Sequence, residues 1–305
     1  MNVLEIDGLN KSFGTRTVLD GLTLTVPEHS VYGFVGQNGA GKTTAMKLVL
    51  GLLKADAGTV RVCGEPVTYG ETKTNRLVGY LPDVPEYYGY MRASEYLALC
   101  GNITGMGKHR IKEKSEELLA LVGLEGTKQK IAGYSRGMKQ RLGIAQALLN
   151  EPKLLLCDEP TSALDPIGRK EILGILSSVK GKTTVLFSTH ILSDVERVCD
   201  HVAILAGGRI RLGGTLEEIR AQHRQNGFMI EFKNEEDAQT FASDSRLGPQ
   251  DIAVERDDAV LNIRLNDPAD RGEYLIRILA ELRMVPLRFE EAEPNLEHLF
   301  LEAVQ

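Results

Sequence analysis

Residues 36–43 read Gly-Gln-Asn-Gly-Ala-Gly-Lys-Thr, followed by Thr44, the GxxxxGK[ST] spacing of a loop that wraps a chain of phosphates. Gly36, Gly39 and Gly41 let the backbone of Gln37, Asn38 and Ala40 turn with its amides facing inward. The apolar run at residues 31–35 precedes the loop, and Met46, Val49 and Leu53 draw the apolar face of a helix after it. The start of that helix adds positive potential for an anion. Lys42 would then contact the β- and γ-phosphates, and Thr43 would bind Mg²⁺. A glycine-rich turn alone would mean little, but strand, loop, Lys-Thr pair and helix occur here together.

Two acids, Asp158 and Glu159, end the aliphatic run at 153–157, the end of a buried strand where ligand sites of open α/β sheets lie. Asp158 would hold Mg²⁺ through its coordinated water, and Glu159 could polarise the water that attacks the γ-phosphate. A strand that merely ends in surface acids is the plainer reading, and it loses weight beside a phosphate loop.

These groups need a frame. Apolar runs at 31–35, 153–157, 183–189 and 201–205 have the continuous hydrophobic character of parallel strands covered on both faces, so an α/β fold is expected. Between Tyr87 and Leu149 the pattern turns helical, with apolar stripes at 113–122 and at Met138, Leu142, Ala145 and Leu149. The composition becomes polar at 222–227, and a new order follows: runs at 228–232, 259–265 and 286–289 with helical patterns at 235–242 and 270–282. A domain boundary is expected there.

Hydrophobic residues make up 42% of the chain and charged residues 26%, ordinary for a globular protein with one large core and a smaller one. No run approaches the roughly 18 apolar residues that cross a bilayer, and the start, MNVLEIDGLNKSFG, lacks the regions of a signal peptide. Any membrane contact is therefore expected through a partner. Residues 221–305 carry 18 acidic and 9 basic side chains, against 24 and 27 in residues 1–220. An acidic C-terminal part argues against nucleic acid, which is held by clustered Lys and Arg. Cys63, Cys100, Cys157 and Cys199 show no CxxC spacing, so structural roles are expected rather than zinc or redox chemistry.

Between the loop and the acids stands Tyr134-Ser135-Arg136-Gly137-Met138-Lys139-Gln140-Arg141, and beyond them Ser162-Ala163-Leu164-Asp165 and His190. In this order of motifs the sequence resembles the ABC ATPase family over about residues 1–215. The resemblance implies a P-loop NTPase of the ABC ATPase type over residues 1–221, with an inserted helical subdomain at about 84–150 and a small C-terminal α+β domain at 222–305. It implies that Ser135 and Gly137, at a helix start, present donors to a γ-phosphate held by the loop of a second subunit. Asp165 would link the two sites and His190 would contact the γ-phosphate. Phe13 would lie against adenine, with Val18 nearby. One phosphate loop and one signature per chain imply head-to-tail pairing of two copies, or of a copy with a close homologue.

The pattern is not followed throughout. The family signature is usually Leu-Ser-Gly-Gly-Gln, and here Tyr134, Arg136 and Met138 replace three of the five while Ser135 and Gly137 remain. At 79–83 the chain ends in Asp83 where the family usually has Gln, and a carboxylate there alters the coupling to Mg²⁺. Tyr87, Tyr88, Tyr90 and Met91 follow, near the groove where family members receive the cytoplasmic helices of the membrane subunit. They are expected to contact that partner, with core packing as the alternative. The signature and the segment Pro294-Asn295-Leu296-Glu297-His298-Leu299-Phe300-Leu301 resemble the ABC-2-like export branch, which includes bacitracin-resistance, sodium-extrusion and drug exporters. An ordinary amphipathic helix accounts for the second feature equally.

The resemblance therefore implies an ATP-hydrolysing subunit of an ABC transporter, an exporter, peripheral on the cytoplasmic face and driving separate polytopic membrane subunits by dimer closure. A soluble ABC ATPase of ribosomes or DNA would carry tandem ATPase domains or a long coiled-coil insert. A P-loop kinase or nucleotide sensor would leave Ser135, Gly137, Asp165 and His190 without a role.

Overall fold

The computed structural model describes residues 1–71, 73–222, 227–247, 252–265, 271–291 and 296–304. They form two compact units, Met1–Leu216 with Phe300–Gln305, and Glu217–Leu299.

In the first unit, β1 (Asn2–Phe13) and β2 (Arg16–Pro27) form a long hairpin. β3 (Val31–Val35) leads through the phosphate loop into α1 (Lys42–Val49), and β4 (Ala57–Val62) and β5 (Glu65–Pro66) join the hairpin as the antiparallel sheet β2-β1-β4-β5. After β6 (Val78–Leu81) come three helices, α2 (Ala93–Ile103), α3 (Lys108–Leu121) and α4 (Arg136–Leu148). Then follow β7 (Leu154–Asp158), α5 (Pro166–Ser178), β8 (Thr184–Thr189), α6 (Leu192–Val198), β9 (His201–Ala206) and β10 (Arg209–Thr215); α7 (Leu216–Gln222) starts at Leu216, and the rest of it belongs to the second unit.

The central sheet has the order β10-β9-β3-β8-β7-β6, parallel except for β10. Every residue of β3, β7 and β8 is buried: α6 packs on β3 and β8, while α1 and the antiparallel sheet share a core with the strands, which is why apolar residues dominate these strands. Leu4, Leu9, Leu22 and Leu24 of the antiparallel sheet share one cluster with Phe34, Met46, Leu156, Leu186 and Leu205. Truncating one such leucine to Ala would cost about 2–5 kcal/mol, since a close-packed interior relaxes only partly around the cavity.

The second unit follows a β-α-β-β-α-β plan: β11 (Gly227–Glu231), α8 (Glu235–Ala242), β12 (Ile252–Asp257), β13 (Val260–Leu265), α9 (Arg271–Glu281) and β14 (Arg288–Glu291), with α10 (Leu296–Val304) after it. The sheet order is β12-β13-β11-β14, all antiparallel. Its core joins Ile230, Leu261 and Ile263 of the strands, and Phe232 just after β11, to Phe241, Leu275 and Ile278 of the helices. The last strand begins at Arg288 rather than at residue 286: Pro286 has no amide to give the ladder, and the first bond comes from Leu287 N to Glu231 O at 2.7 Å. Residues 223–226, residue 270, Pro294 and Asn295, on which the expected boundary, helix start and tail segment partly fall, lie outside the described residues.

Candidate functional site

Three neighbouring parallel strands end level with one another. Val35 of β3 faces Thr189 of β8, and Asp158 of β7 faces Ser188. The chain leaves all three at the same sheet edge, where ligand sites of such sheets form. Gly36 N bonds Thr189 O at 3.3 Å, which pins the loop to the end of β8. Gly41 closes the loop at φ +111°, and a Cβ there would stand 2.8 Å from Leu19 Cδ2 and 3.1 Å from Val18 Cγ1. A larger residue is excluded twice, by dihedral and by contact. Val18 is thereby placed directly against the loop.

Lys42 is 5% exposed. Its Nζ donates to Gly36 O at 2.6 Å and Gln37 O at 3.2 Å and lies 3.0 Å from Glu159 Oε1. Thr43 Oγ1 donates to Asp158 Oδ2 at 2.6 Å, and Ser188 Oγ donates to Asp158 Oδ1 at 2.6 Å while accepting from Glu159 N at 3.0 Å. Glu159 Oε2 lies 2.9 Å from His190 Nδ1. Glu159 holds a left-handed φ of +48°, a strain of about 1 kcal/mol or more that persists only where the surroundings over-determine it. Two oxygens, from Thr43 and Asp158, thus converge on one point, a hard donor pair of the kind Mg²⁺ takes together with phosphate oxygens. Among the described residues no group of three or more His, Cys, Asp or Glu could hold a metal by itself.

Ser135 and Gly137 stand elsewhere. Ser135 caps α4, its hydroxyl accepting from Met138 N at 3.2 Å, the arrangement that satisfies an orphan amide of the first turn. A Cβ at Gly137 would lie 3.9 Å from Leu164 Cδ2, so the signature neighbours the loop of Asp165. Asp165 caps α5 by accepting from Gly168 N at 3.2 Å. Among the described residues neither Ser135 nor Asp165 bonds to the group around Lys42 and Glu159. One chain therefore carries two separate clusters, phosphate loop with acids and His190, and signature with Asp165. Phe13 is half exposed at the end of β1, with Lys11 Nζ 5.3 Å from its ring centroid.

Asp83 follows β6, beside β7. Arg136 of the signature lies 3.5 Å from Asp83 Oδ1, and Gln140 donates to Asp83 O at 2.7 Å. Burial pushes the Asp83 carboxyl up; Arg136 opposes this, and the Asp158 and Glu159 carboxylates add to it. Burial, followed by Asp158, pushes the Tyr80 phenol up to about 12. The tyrosine cluster divides: Tyr87 turns inward, donating to Lys139 O at 2.7 Å and meeting Tyr96 edge to face, while Tyr88 and Tyr90 are exposed. Core packing accounts for the first and leaves the other two at the surface.

Sequence reading missed Ser188, whose hydroxyl ties both acids together. Its only signal is a polar residue at the end of an apolar strand. Arg16 was missed as well, with its Nη2 3.7 Å from where a Cβ of Gly39 would stand.

A family model described as "ABC transporter" matches residues 19–162, and one described as "ATP-binding protein DrrA1-3-like, C-terminal domain" matches residues 214–304. The chain is 37% identical over 303 residues to YxlF of Bacillus subtilis (strain 168), an uncharacterised ABC transporter ATP-binding protein, covering 99% of both chains. It is 33% identical over 308 residues to the bacitracin transport ATP-binding protein BcrA of Bacillus licheniformis, covering 99% of this chain and 97% of that one. A solved ATP-binding subunit of an ABC transporter superposes with a TM-score of 0.65 at 33% identity, over 72% of this chain and 92% of that one.

Proposed function

Because this chain belongs to the ABC transporter ATP-binding family, and so is an ATP-hydrolysing transporter subunit, we propose that it works as a dimer on the cytoplasmic face of an exporter. The division into two clusters is the observation that supports this reading most. A triphosphate lying along residues 36–43 meets Lys42, Thr43, Asp158, Glu159 and His190 of its own chain but lacks Ser135 and Gly137. A second subunit turned head to tail supplies them, and Asp165 beside each signature then links the paired sites.

The residues divide the work. Loop amides and Lys42 take the β- and γ-phosphates, with Lys42 exchanging its carbonyl partners for phosphate oxygens. Phe13 stacks on adenine beside Val18. Thr43 and Asp158 would hold Mg²⁺, which when bound neutralises charge on the β- and γ-phosphates. Glu159, kept in place by Lys42 and His190, accepts the proton of the attacking water as the new P–O bond forms. The bond to the β-phosphate oxygen breaks with its electron pair leaving on ADP. His190 meets the γ-phosphate on its far side. ATP closes the dimer, hydrolysis reopens it, and the membrane subunits follow.

Among the described residues no helix is long and apolar enough to cross a membrane, so the spanning parts are assigned to other chains. Exposed Tyr88 and Tyr90 are the surface proposed to meet them. The likeness to a bacitracin transport ATP-binding protein supports the export reading. The test is capture of Glu159→Gln protein with ATP from detergent-solubilised membranes of its own organism. A polytopic membrane protein is the expected partner; ribosomal or DNA-repair proteins would overturn the transporter reading.

A further inference from the structure

Asp194, in α6, is a carboxylate that the site described above leaves unused. It is 3% exposed. Its Oδ2 accepts from Thr161 Oγ1 at 2.7 Å, a bond buried at both ends, and its Oδ1 accepts from Arg169 at 2.7 Å. The two donors belong to different segments. Thr161 is fully buried in the loop after β7, two residues beyond Glu159 and four before Asp165. Arg169 stands in the first turn of α5, its amide bonded to Asp165 O at 2.9 Å. Asp194 itself follows His190 by four residues, and the turn between them is held by Ile191 N bonding Thr189 Oγ1 at 2.9 Å. One buried carboxylate therefore joins the segment carrying Glu159 and Asp165, the helix capped by Asp165 and the segment carrying His190.

The loop so gripped is under conformational strain, with left-handed backbones at Glu159, φ +48°, and at Ala163, φ +53°. Such backbones persist only when surrounding contacts enforce them. A buried ion pair is a poor source of stability, because apolar residues of similar volume often do as well or better. Its value here is geometric.

We propose that Asp194 is a positioning residue of ATP hydrolysis, holding the Glu159–Asp165 loop in register with the turn of His190 so that the 2.9 Å contact between Glu159 and His190 survives movement of the loop. The proposal rests on the assignment of Glu159 and His190 made above. It predicts that loss of the Asp194 contacts lowers the rate of the chemical step and leaves nucleotide binding alone, since the phosphate loop bonds to neither Thr161 nor Arg169.

The experiment compares full-length Asp194→Asn, Thr161→Val, Thr161→Ser and Arg169→Met proteins, measuring kcat, KM for ATP, equilibrium binding of a fluorescent ATP analogue and the melting temperature, with Glu159→Gln alongside. Asp194→Asn and Thr161→Val are expected to lose kcat about tenfold or more, the scale of a lost hydrogen bond to a charged group and of small misplacement of a reacting group. KM and analogue binding should stay within about twofold. Thr161→Ser, which keeps the hydroxyl, should retain kcat, and Asp194→Asn combined with Arg169→Met should cost less than the two losses added. If Asp194→Asn does not fold, the Val and Ser pair at Thr161 carries the same decision. Unchanged kcat in folded Asp194→Asn or Thr161→Val, or equal loss in the Val and Ser variants, overturns the proposal. Undiminished turnover in Glu159→Gln instead overturns the assignment of the site on which it rests.

Discussion

Glu159 is held from both sides, its Oε1 3.0 Å from Lys42 Nζ and its Oε2 2.9 Å from His190 Nδ1. One carboxylate thereby connects the phosphate loop to the end of β8, with both of its oxygens engaged. The consequences are open to direct measurement.

Replacing Glu159 by Gln keeps the shape and removes the carboxylate proposed as the proton acceptor. Turnover should fall by about a hundredfold to ten-thousandfold, the range a positioned general base supplies, while ATP binding persists and a closed dimer accumulates. Steady-state ATPase assays and sedimentation velocity with ATP read the two effects separately.

Ser188→Ala removes the hydroxyl that donates to Asp158 and accepts from Glu159 N. Both groups then lose a partner in a buried site, a cost of about 1–3 kcal/mol. The expected result is a lower melting temperature and a raised Mg²⁺ requirement for ATPase activity, read by titrating Mg²⁺ at fixed ATP.

Ser135→Ala should act at two levels. Loss of the cap on Met138 N destabilises α4 by about 1 kcal/mol, seen in the isolated subunit without nucleotide. If Ser135 also serves the partner's γ-phosphate, ATP-driven dimerisation falls further than this loss explains. Mixing Ser135→Ala with Lys42→Ala subunits then restores at most one intact composite site per dimer.

Asp200 sets a pH dependence. Burial works to raise its carboxyl, but the Lys180 ammonium and the Val31 amide outweigh it and hold the group below its ordinary value of 3.8. A depressed folded value means stability that is present above the ordinary value and lost as pH falls through the folded one. Asp200→Asn should therefore lower the melting temperature at neutral pH, and the gap from the parent should close below pH 3.8, followed by thermal melts across an acid series.

The sequence made the site legible where chemistry and burial point the same way. Residues 31–35 and the runs before Asp158 and His190 are dominated by apolar residues because both faces of the sheet are covered, and such runs survive reading one residue at a time. The hairpin β1–β2 was not legible as such, since several register shifts break its alternation. β12 was missed because acids interrupt its short pattern, and its pairing with β13 is a tertiary fact. Tyr87 and Tyr88 are adjacent and equally aromatic, and the one that turns inward is told apart only by tertiary contacts, to Lys139 O and to the Tyr96 ring. Ser188 carries no motif, since its value lies in two bonds to residues distant in the chain.

The order of strands in the central sheet also governs how the protein is made. β3 is complete at residue 35, but its neighbours β8 and β9 end at residues 189 and 206. At roughly 5–20 residues per second of synthesis, the interval before residue 189 emerges is about 8–30 s. Throughout it Val31–Val35 is an apolar strand with no ladder, open to wrong pairing, and closing so long a separation is intrinsically slow. In the site proposed above, ATP draws on Lys42 and Thr43 from one end of that stretch and on Asp158, Glu159 and His190 from the other, so it is expected to bind the finished sheet in preference to partly folded chains. The fuel of the transporter is then also a ligand that favours completion of the fold by mass action.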